Sequence, residues 1–544
     1  MQRASVRFLT YYFEQICRSF QYLLKQSTHL QLVVELAVQG LRLRTYASLS
    51  NDSGSAMDML SAFRRSQKAW KRIEPFKTAR IPMSQVAYET SNRVFAHGIL
   101  DNAYQFRGIE FNNLEVNSTT DPTSIPVWKT IENTGIDIWD YSFHVVHDLV
   151  VIVEDPYVEI MQRESIRVFL LTMTGGHPHP DAAISCLSLP RPREGTHLED
   201  GHGTLVIWNW RTGSKVYERE RVGGYAFLSP DTLFLFVAIH KDRWTPIAGI
   251  ELLRLGQPKA EIFLGIPFRG ISFDVTVLSD RPTVDSSTIP ANVPLSPFVI
   301  DETAERIIVV QFVGSFIFVS CRSLLRILQD ESITPMSKRT SKLLYKRAFK
   351  WDQWGPENAF WLQKHGIGPG FTAVSGARFC SIVESPMQIF VTGNDLSVVL
   401  NGSKKHGFKS KRKHYDEELG SLAIDLVSES SHQLVGGGQK SILIMDFNPR
   451  PILRFSMKVE ETEGSGKFEN EEANWWKRFR KRIKAIKWNS STSKTNSSQL
   501  SKLPFRAYQR PVEKMYTDLI LTTDHIIGMV DDKTDYEVLQ FYEE

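Results

Sequence analysis

The chain has 544 residues, of which 42% are hydrophobic and 23% are charged, and its formal net charge is +4. This composition is that of a globular protein with an ample core, and it excludes a disordered or collagen-like chain. No run of 18 or more apolar residues is present, which argues against a membrane-spanning helix. Four scattered cysteines without a CxxC pair form neither a disulfide framework nor a zinc pattern, so we expect a reducing compartment, cytoplasmic or nuclear.

The positive charge is concentrated in two segments. Residues 403–414 carry six Lys or Arg and residues 477–487 carry seven, with no acidic residue in either. Subtracting these 13 from the 65 basic residues leaves 52 against 61 acidic residues, a formal charge of −9 for the remainder. The basicity is therefore local, and the acidic body argues against nucleic acid as a partner.

Residues 4–38 are predicted to be helical. The first part carries an apolar stripe at spacings of three and four, which consists of Leu9, Phe13, Ile16, Phe20 and Leu23. Thr28 and His29 interrupt the pattern, and a second apolar piece ends near Gly40. After a polar linker, Ser55-Ala-Met-Asp58 resembles a capping box. It predicts a helix with four apolar residues on one side: Leu60, Phe63, Trp70 and Ile73.

From about residue 90 the apolar period changes to two, and seventeen short strand candidates follow without long helices between them. This pattern predicts a mainly β, closed or repeating body. In residues 205–236 a strand ends at the turn Arg211-Thr212-Gly213, and a second strand ends at the turn Ser229-Pro230-Asp231-Thr232. The order Trp-Asn-Trp-x-Thr-Gly, then Phe-x-Ser-x-Asp, resembles the passage between two blades of a WD-repeat-type β-propeller.

The domain organisation follows from these elements. We predict helices over 1–45, a linker with an amphipathic helix over 46–87, and a degenerate propeller over 88–544. Dividing the roughly 455 β-rich residues among about seven blades gives about 65 residues each, more than the usual length of such repeats. Insertions are therefore expected at 323–370, 401–418 and 457–510.

The N-terminal helices resemble part of a known family. Residues 15–24, Gln-Ile-Cys-Arg-Ser-Phe-Gln-Tyr-Leu-Leu, and residues 30–40, Leu-Gln-Leu-Val-Val-Glu-Leu-Ala-Val-Gln-Gly, resemble the final helix and exit of an F-box in fungal (basidiomycete-type) F-box proteins. The next helix, with Gln67, Ala69 and Trp70, is similar to the Leu…Gln-x-Ala-Trp helix of those proteins. The Leu-Pro opening of an F-box does not precede Cys17, so the resemblance implies a truncated F-box joined to a degenerate propeller.

The resemblance implies a non-catalytic substrate receptor of an SCF-like ubiquitin ligase. The helices would dock on a Skp-type linker protein, and the propeller would hold an unknown protein substrate. The candidate docking residues are Phe13, Ile16, Cys17, Phe20 and Leu23. Two alternatives stay open: this stripe packs on the helix over 57–73 and the propeller is a stand-alone scaffold, or the propeller is an enzyme with titratable groups at its channel mouth. No cofactor is implied.

Other motifs have simpler interpretations. His177-Pro-His179-Pro-Asp181, with His197 and His202, is compatible with a metal site, but its prolines favour an extended loop, and we predict no metal. Gly366-Ile-Gly-Pro-Gly370 and Gly436-Gly-Gly-Gln-Lys-Ser441 fail as phosphate-binding loops and are predicted to be turns.

The basic segments and the scattered tryptophans are the last candidates. The two basic segments fit a solvated insertion, a nuclear import signal or a ligand site. In the last case the cations bind nucleic acid, or residues 475–488 form an amphipathic helix for an anionic membrane or a partner. Five tryptophans are predicted to pack between blades, since an aromatic side chain buries a large area: Trp128, Trp139, Trp351, Trp354 and Trp361.

Overall fold

The computed structural model describes residues 22–43, 55–82, 88–91, 94–100, 106–114, 127–132, 134–154, 165–190, 203–240, 246–257, 260–266, 275–279, 298–300, 305–312, 315–329, 345, 347–363, 367–383, 387–392, 395–400, 440–448, 506–512, 516–530 and 535–542. Over these residues the chain is mainly β, with few helices. The helices are α1 (Thr28–Gln39), α2 (Ala56–Arg72), α3 (Cys321–Gln329) and α4 (Trp351–Asn358).

Six four-stranded antiparallel blades can be traced in the described residues. Blade 1 consists of β3 (Tyr88–Ser91), β4 (Val94–Leu100), β5 (Phe106–Asn113) and β6 (Val127–Ile131), and blade 2 of β7 (Ile138–His144), β8 (Leu149–Glu154), β9 (Ser165–Thr172) and β10 (Cys186–Pro190). Blade 3 consists of β12 (Ser214–Ser229), β13 (Thr232–His240), β14 (Pro246–Arg254) and β15 (Ile262–Gly265), and blade 4 of β16 (Thr276–Ser279), β18 (Ile307–Phe312), β19 (Ser315–Ser320) and β21 (Ala359–Gln363). Blade 5 consists of β22 (Ile367–Ser375), β23 (Arg378–Val383), β26 (Ser441–Asp446) and β27 (Arg506–Pro511), and blade 6 of β28 (Tyr516–Leu521), β29 (His525–Val530), β30 (Asp535–Gln540) and β2 (Lys77–Pro82).

The remaining described strands extend or connect the blades. β11 (Gly203–Asn209) forms a hairpin with the first half of β12, and β20 (Arg347–Phe349) adds a parallel strand to β15. β24 (Met387–Thr392) and β25 (Asp395–Leu400) form a separate hairpin, while β1 (Leu41–Leu43) pairs with β17 (Phe298–Ile300). A single pair, Phe106 with Ile138, joins the sheets of blades 1 and 2.

Side chains on the two faces of each central strand pack against the two neighbouring blades, and this packing forms the ring. In β18, Ile308 and Val310 belong to the cluster shared with blade 3, whereas Ile307 and Val309 belong to the cluster shared with blade 5. Successive residues of a strand point to opposite faces, so a strand with a neighbour on both sides is apolar throughout. Each fully buried Ile or Val contributes roughly 1.5–3 kcal/mol.

The last blade is completed by a strand from the other end of the chain. β2 pairs with β30 over six residues, from Lys77 with Gln540 to Pro82 with Asp535. Ile81 of β2 and Phe95 of blade 1 lie in one buried cluster, and the Phe95 and Tyr536 rings are 5.0 Å apart. Blade 6 therefore contacts blade 1 and closes the ring.

Six blades correct the predicted number of about seven. The value of seven did not come from counting repeats, which are too divergent to count, and the residues outside the four-strand pattern are concentrated in a few connections. The longest of these lie within blade 5, between β23 and β26 and between β26 and β27. Residues 359–363 and 367–375, which overlap the insertion predicted at 323–370, include the outer strand of blade 4 and the inner strand of blade 5.

The two turns predicted in residues 205–236 are confirmed, but β11, β12 and β13 pair in one sheet, so the predicted passage between two blades is wrong. Gly213 has φ of 66° in the β11–β12 turn, and Ser229 and Asp231 form the β12–β13 turn through a 2.6 Å hydrogen bond from Ser229 Oγ to Asp231 Oδ1. The turn predicted at residues 366–370 is wrong where the structure describes it. Residues 367–370 belong to β22, whose pairing with β23 shifts register between Ile367 and Thr372.

Candidate functional site

The N-terminal helices begin and end where the sequence places their signals. The Ser27 side chain accepts a hydrogen bond from the Leu30 backbone amide, and Gly40, with φ of 73°, ends α1. The predicted capping box of α2 is confirmed, because Ser55 accepts from the Asp58 amide and the Asp58 carboxylate accepts from the Ser55 amide. A separate helical stretch is described over residues 22–26.

A mixed apolar and ionic contact joins α1 to α2. Leu32 and Leu36 of α1 share a buried cluster with Leu60 and Phe63 of α2. At its edge the Arg64 guanidinium donates to the Glu35 carboxylate, with Nη2 2.7 Å from Oε1, and this hydrogen bond raises the pKa of Arg64. The two helices therefore form one packed unit.

This unit is attached to blades 5 and 6. Trp70 of α2 is 5% exposed, and its ring stacks on Phe541 with centroids 4.1 Å apart. The Arg378 guanidinium lies over the Trp70 ring at 4.7 Å. Asn448 Nδ2 donates to the Val38 carbonyl at 2.9 Å, and Arg510 Nη1 donates to the Ile73 carbonyl at 2.8 Å. The helices consequently hold a defined position on the propeller.

One side of α1 remains apolar and open. Leu30 is 37% and Val33 is 42% exposed. At about 100° per residue, Leu30 lies about 160° around the helix from the buried Leu32, and Val33 lies about 60° from Leu30. A helix that is apolar on two sides is normally covered on both, and the buried cluster shared with α2 accounts for only one of them. Periodicity pointed to the first apolar stripe and missed this one.

The predicted docking residues are only partly visible. Leu23 lies in the helical stretch over 22–26 and is 55% exposed, and its neighbour Tyr22 is also exposed. The other four candidates, Phe13, Ile16, Cys17 and Phe20, lie outside the described residues. Docking through this stripe therefore stays a prediction.

The histidine motif at 177–181 is organised by the backbone. His179 is buried, its Nε2 is 2.8 Å from the His147 carbonyl oxygen, and its Nδ1 accepts a hydrogen bond from the Asp181 amide. Both ring nitrogens of His179 are therefore occupied. Among the described residues, no group of three or more His, Cys, Asp or Glu is arranged to hold a metal ion, and His197 and His202 fall outside them.

The tryptophans differ in their environment. Trp351 and Trp354 are buried in the core between blades 3 and 4, where Trp354 Nε1 donates to the Gly265 carbonyl at 3.1 Å, so core packing is confirmed for both. Trp128 is partly buried beneath Lys129. Trp139 on β7 is largely exposed, so the packing between blades predicted for it is wrong. The Trp361 side chain lies outside the described part of the structure.

Both basic segments lie in the chain connections of blade 5. Residues 403–414 fall between β25 and β26, and residues 477–487 fall between β26 and β27. Neither segment is among the described residues, so their three interpretations stay open. In the described ranges, no helix combines the length and apolarity needed to cross a membrane.

The sheet topology and the attached helices define the class of this protein as a six-bladed β-propeller with an N-terminal helical unit. No protein-family model matches the chain, and no curated protein matches it either. Among solved structures, the chain is similar to the β-propeller domain of the Trilobed protease from Pyrococcus furiosus, described as having an open velcro topology. That similarity covers 57% of this chain and 90% of the other, with 10% identity and a TM-score of 0.23. So low a score carries no argument, and the propeller assignment is based on the strand pairing.

Proposed function

We propose that this chain is a non-catalytic protein-interaction protein, an F-box-type substrate receptor in an SCF-like ubiquitin ligase of the cytoplasm or nucleus. Its N-terminal helices bind a Skp-type linker, and its propeller binds a protein substrate. The observation that supports the proposal is the exposed apolar side of α1, formed by Leu30 and Val33, on a helix fixed to the propeller. Helix-in-groove binding needs such anchors at helical spacing.

The fixed helices also suit the geometry of a receptor. α1 contacts the propeller through the Val38 carbonyl, and α2 contacts it through Trp70 and the Ile73 carbonyl. A substrate held by the propeller would therefore keep a constant orientation relative to a linker bound at α1. Tethering of this kind requires no bond to be made or broken by the chain.

The proposal is tested by changing Leu30 and Val33 to lysine and measuring capture of a Skp-type linker by the purified full-length chain. Because both side chains are exposed, we expect binding to fall at least tenfold while the melting temperature stays unchanged. The matched control is Val216→Lys on β12, a similarly exposed valine far along the chain from α1. Equal binding by the wild type and the double variant would refute docking through this side of the helix.

A stand-alone scaffold is the second candidate. It is favoured by the extent to which α1, α2 and β2 share buried clusters with the propeller, since such helices can be structural parts of the ring. In that case the wild-type chain captures no linker at micromolar concentration. A list of proteins that co-purify with the wild type distinguishes the two functions.

A further inference from the structure

Three imidazoles meet where the β11–β12 hairpin packs on blade 2. His144 ends β7, His147 lies in the turn that follows, and His179 comes from the loop between β9 and β10. The His144 and His147 rings stack with centroids 4.6 Å apart. Trp210, directly after β11, has its ring 4.9 Å from His179 and 6.2 Å from His147.

This contact is part of the boundary between blades 2 and 3. Trp208 and Trp210 pack against a buried cluster formed by Leu149, Leu170 and Leu187 of blade 2. On its other side the hairpin contributes to the core of blade 3 through Leu205 and other residues. The imidazoles therefore lie at the edge of the seam that attaches the hairpin to blade 2.

The ring of His179 ties this loop to the turn that carries His147. Its Nε2 donates to the His147 carbonyl oxygen at 2.8 Å. Its Nδ1 accepts from the Asp181 amide at 3.1 Å.

His144 and His147 are arranged as neutral groups. The Nδ1 atom of His144 is buried and has no hydrogen-bond partner of normal geometry, and the backbone of His144 offsets only part of the cost of a proton there. Burial, together with the nearby His147, lowers the pKa of His144 to about 4. Burial is also the main cause of the lowered pKa of His147, followed by the charge of Arg211.

The charged groups around the cluster compensate added protons only in part. Arg211, from the β11–β12 turn, lies over Trp210 at 5.3 Å and is 3.9 Å from the Asp181 carboxylate. The Asp148 carboxylate, beside His147, accepts hydrogen bonds from the Thr174 amide and hydroxyl. His177, in the same loop as His179, is exposed. A proton on His147 would therefore be repelled by Arg211 and attracted by Asp181, and burial still makes the balance unfavourable.

We propose that His144 and His147, stacked on each other beside His179 and Trp210, form an acid-sensitive latch that holds the β11–β12 hairpin and its two tryptophans on blade 2 at neutral pH and releases them on acidification. The latch is independent of the proposed linker binding. An open hairpin takes Trp210 and Arg211 away from His147, and His144, which stacks on His147, becomes hydrated with it. Both groups then have ordinary pKa values near 6.5, and protons bind more strongly to the open state. Acid therefore favours opening between about pH 6.5 and pH 4, and the closed state is fully favoured above this range.

The test is hydrogen exchange by mass spectrometry on the full-length chain at about pH 7.5 and about pH 5.5, corrected for the intrinsic exchange rate. In peptides covering residues 203–222, we expect the opening constant to rise about tenfold from His144 alone. Peptides covering β18 and β19 serve as an internal reference and should not change. A proportional rise of the opening constant in every blade, or no rise of the opening constant in the hairpin, would overturn the proposal.

Variants separate the latch from general acid sensitivity. The double variant His144→Phe and His147→Phe keeps the stacked rings and leaves His179 with its hydrogen bonds in place but removes both titrating groups, so its hairpin exchange should lose the pH dependence. His177→Gln, in the same loop as His179, is the matched control and should behave as the wild type. If the double variant does not fold, His144→Phe alone should reduce the pH response about tenfold. An unchanged response in the non-titrating variant contradicts the latch.

Discussion

At the scale of single residues, Gly224 shows how closely the blades approach one another. It lies on β12, the inner strand of blade 3, and a Cβ atom added there would be 2.4 Å from Val277 Cγ2 on β16 of blade 4. Real Cβ atoms do not approach other carbons this closely, so any side chain at position 224 pushes the two strands apart. Glycine at this position is a requirement of blade packing, not of a turn.

We therefore expect Gly224→Ala to lower the free energy of unfolding by about 1–3 kcal/mol. Val277→Ala removes the opposing methyl groups, so the double variant should recover part of that loss. Chemical denaturation of the two single variants and the double variant measures the coupling. Gly203→Ala is the control, because a Cβ atom added at Gly203 would lie in open space, with no neighbouring group within 4 Å. If the changes in the free energy of unfolding caused by Gly224→Ala and Val277→Ala simply add in the double variant, the two residues are not in contact.

At the scale of elements, α2 is held to the propeller mainly by one aromatic side chain. Trp70 lies between the Phe541 ring and the Arg378 guanidinium, and its indole is almost completely buried. Burial of so large a side chain, with stacking on one face and a cation on the other, contributes several kcal/mol. The first half of the same helix packs on α1 through Leu60 and Phe63.

Trp70→Ala should lower the free energy of unfolding by about 3–5 kcal/mol, and Trp70→Phe by less, since the ring stack is partly kept. Met57→Ala, at an exposed position of the same helix, should stay within about 0.5 kcal/mol of the wild type. Urea denaturation monitored by circular dichroism measures the free energy of unfolding of the three variants and the wild type. An alanine variant as stable as the wild type would mean that α2 is not part of the cooperative core.

At the scale of the whole molecule, ring closure depends on β2. This strand comes from the N-terminal side of the chain and completes blade 6, and Ile81 within it is fully buried against blade 1. Without β2, an apolar edge of β30 and the Phe95 side of blade 1 would be exposed to water. The ring then loses contacts on both sides of one seam, and the buried area of several blades decreases together.

Deleting residues 1–82 should therefore abolish a cooperative thermal transition, whereas deleting residues 1–26 should leave the melting temperature within a few degrees. The shorter deletion removes exposed residues such as Tyr22 and Leu23 but none of β2. Differential scanning calorimetry distinguishes these results. A chain starting at residue 83 that melts like the full-length protein would show that the ring closes without this strand.

Local sequence patterns predicted the elements whose determinants are neighbours in the chain. The Ser55–Asp58 capping box, the end of α1 at Gly40 and the turn at Gly213 each depend on residues within one turn of a helix or hairpin. The strand region was recognised because short apolar runs separated by turns, without long helices between them, indicate a mainly β body. These features are also the ones least affected by long insertions.

Other features depended on contacts between distant residues. The number of blades was predicted incorrectly because the repeats are too divergent for the sequence to show which four strands form one sheet, although the long connections of blade 5 were expected. The position of β2 in blade 6 and the stacking of Trp70 on Phe541 join opposite ends of the chain, which no local period records. The exposed side of α1 was missed because its apolar residues resemble core residues until their neighbours are known.

The amino-acid sequence alone determined that this protein is mainly β, that helices precede the strands, and where caps and turns interrupt the chain, since short-range sterics and hydrogen bonding decide these. Only the tertiary structure decided that the ring has six blades, that β2 closes it, and that three histidines meet beside Trp210. The physical reason is that burial and pairing depend on which distant surfaces come together. A sequence pattern shows that one face of a helix or strand is apolar and must be buried, but it does not show which other surface buries it.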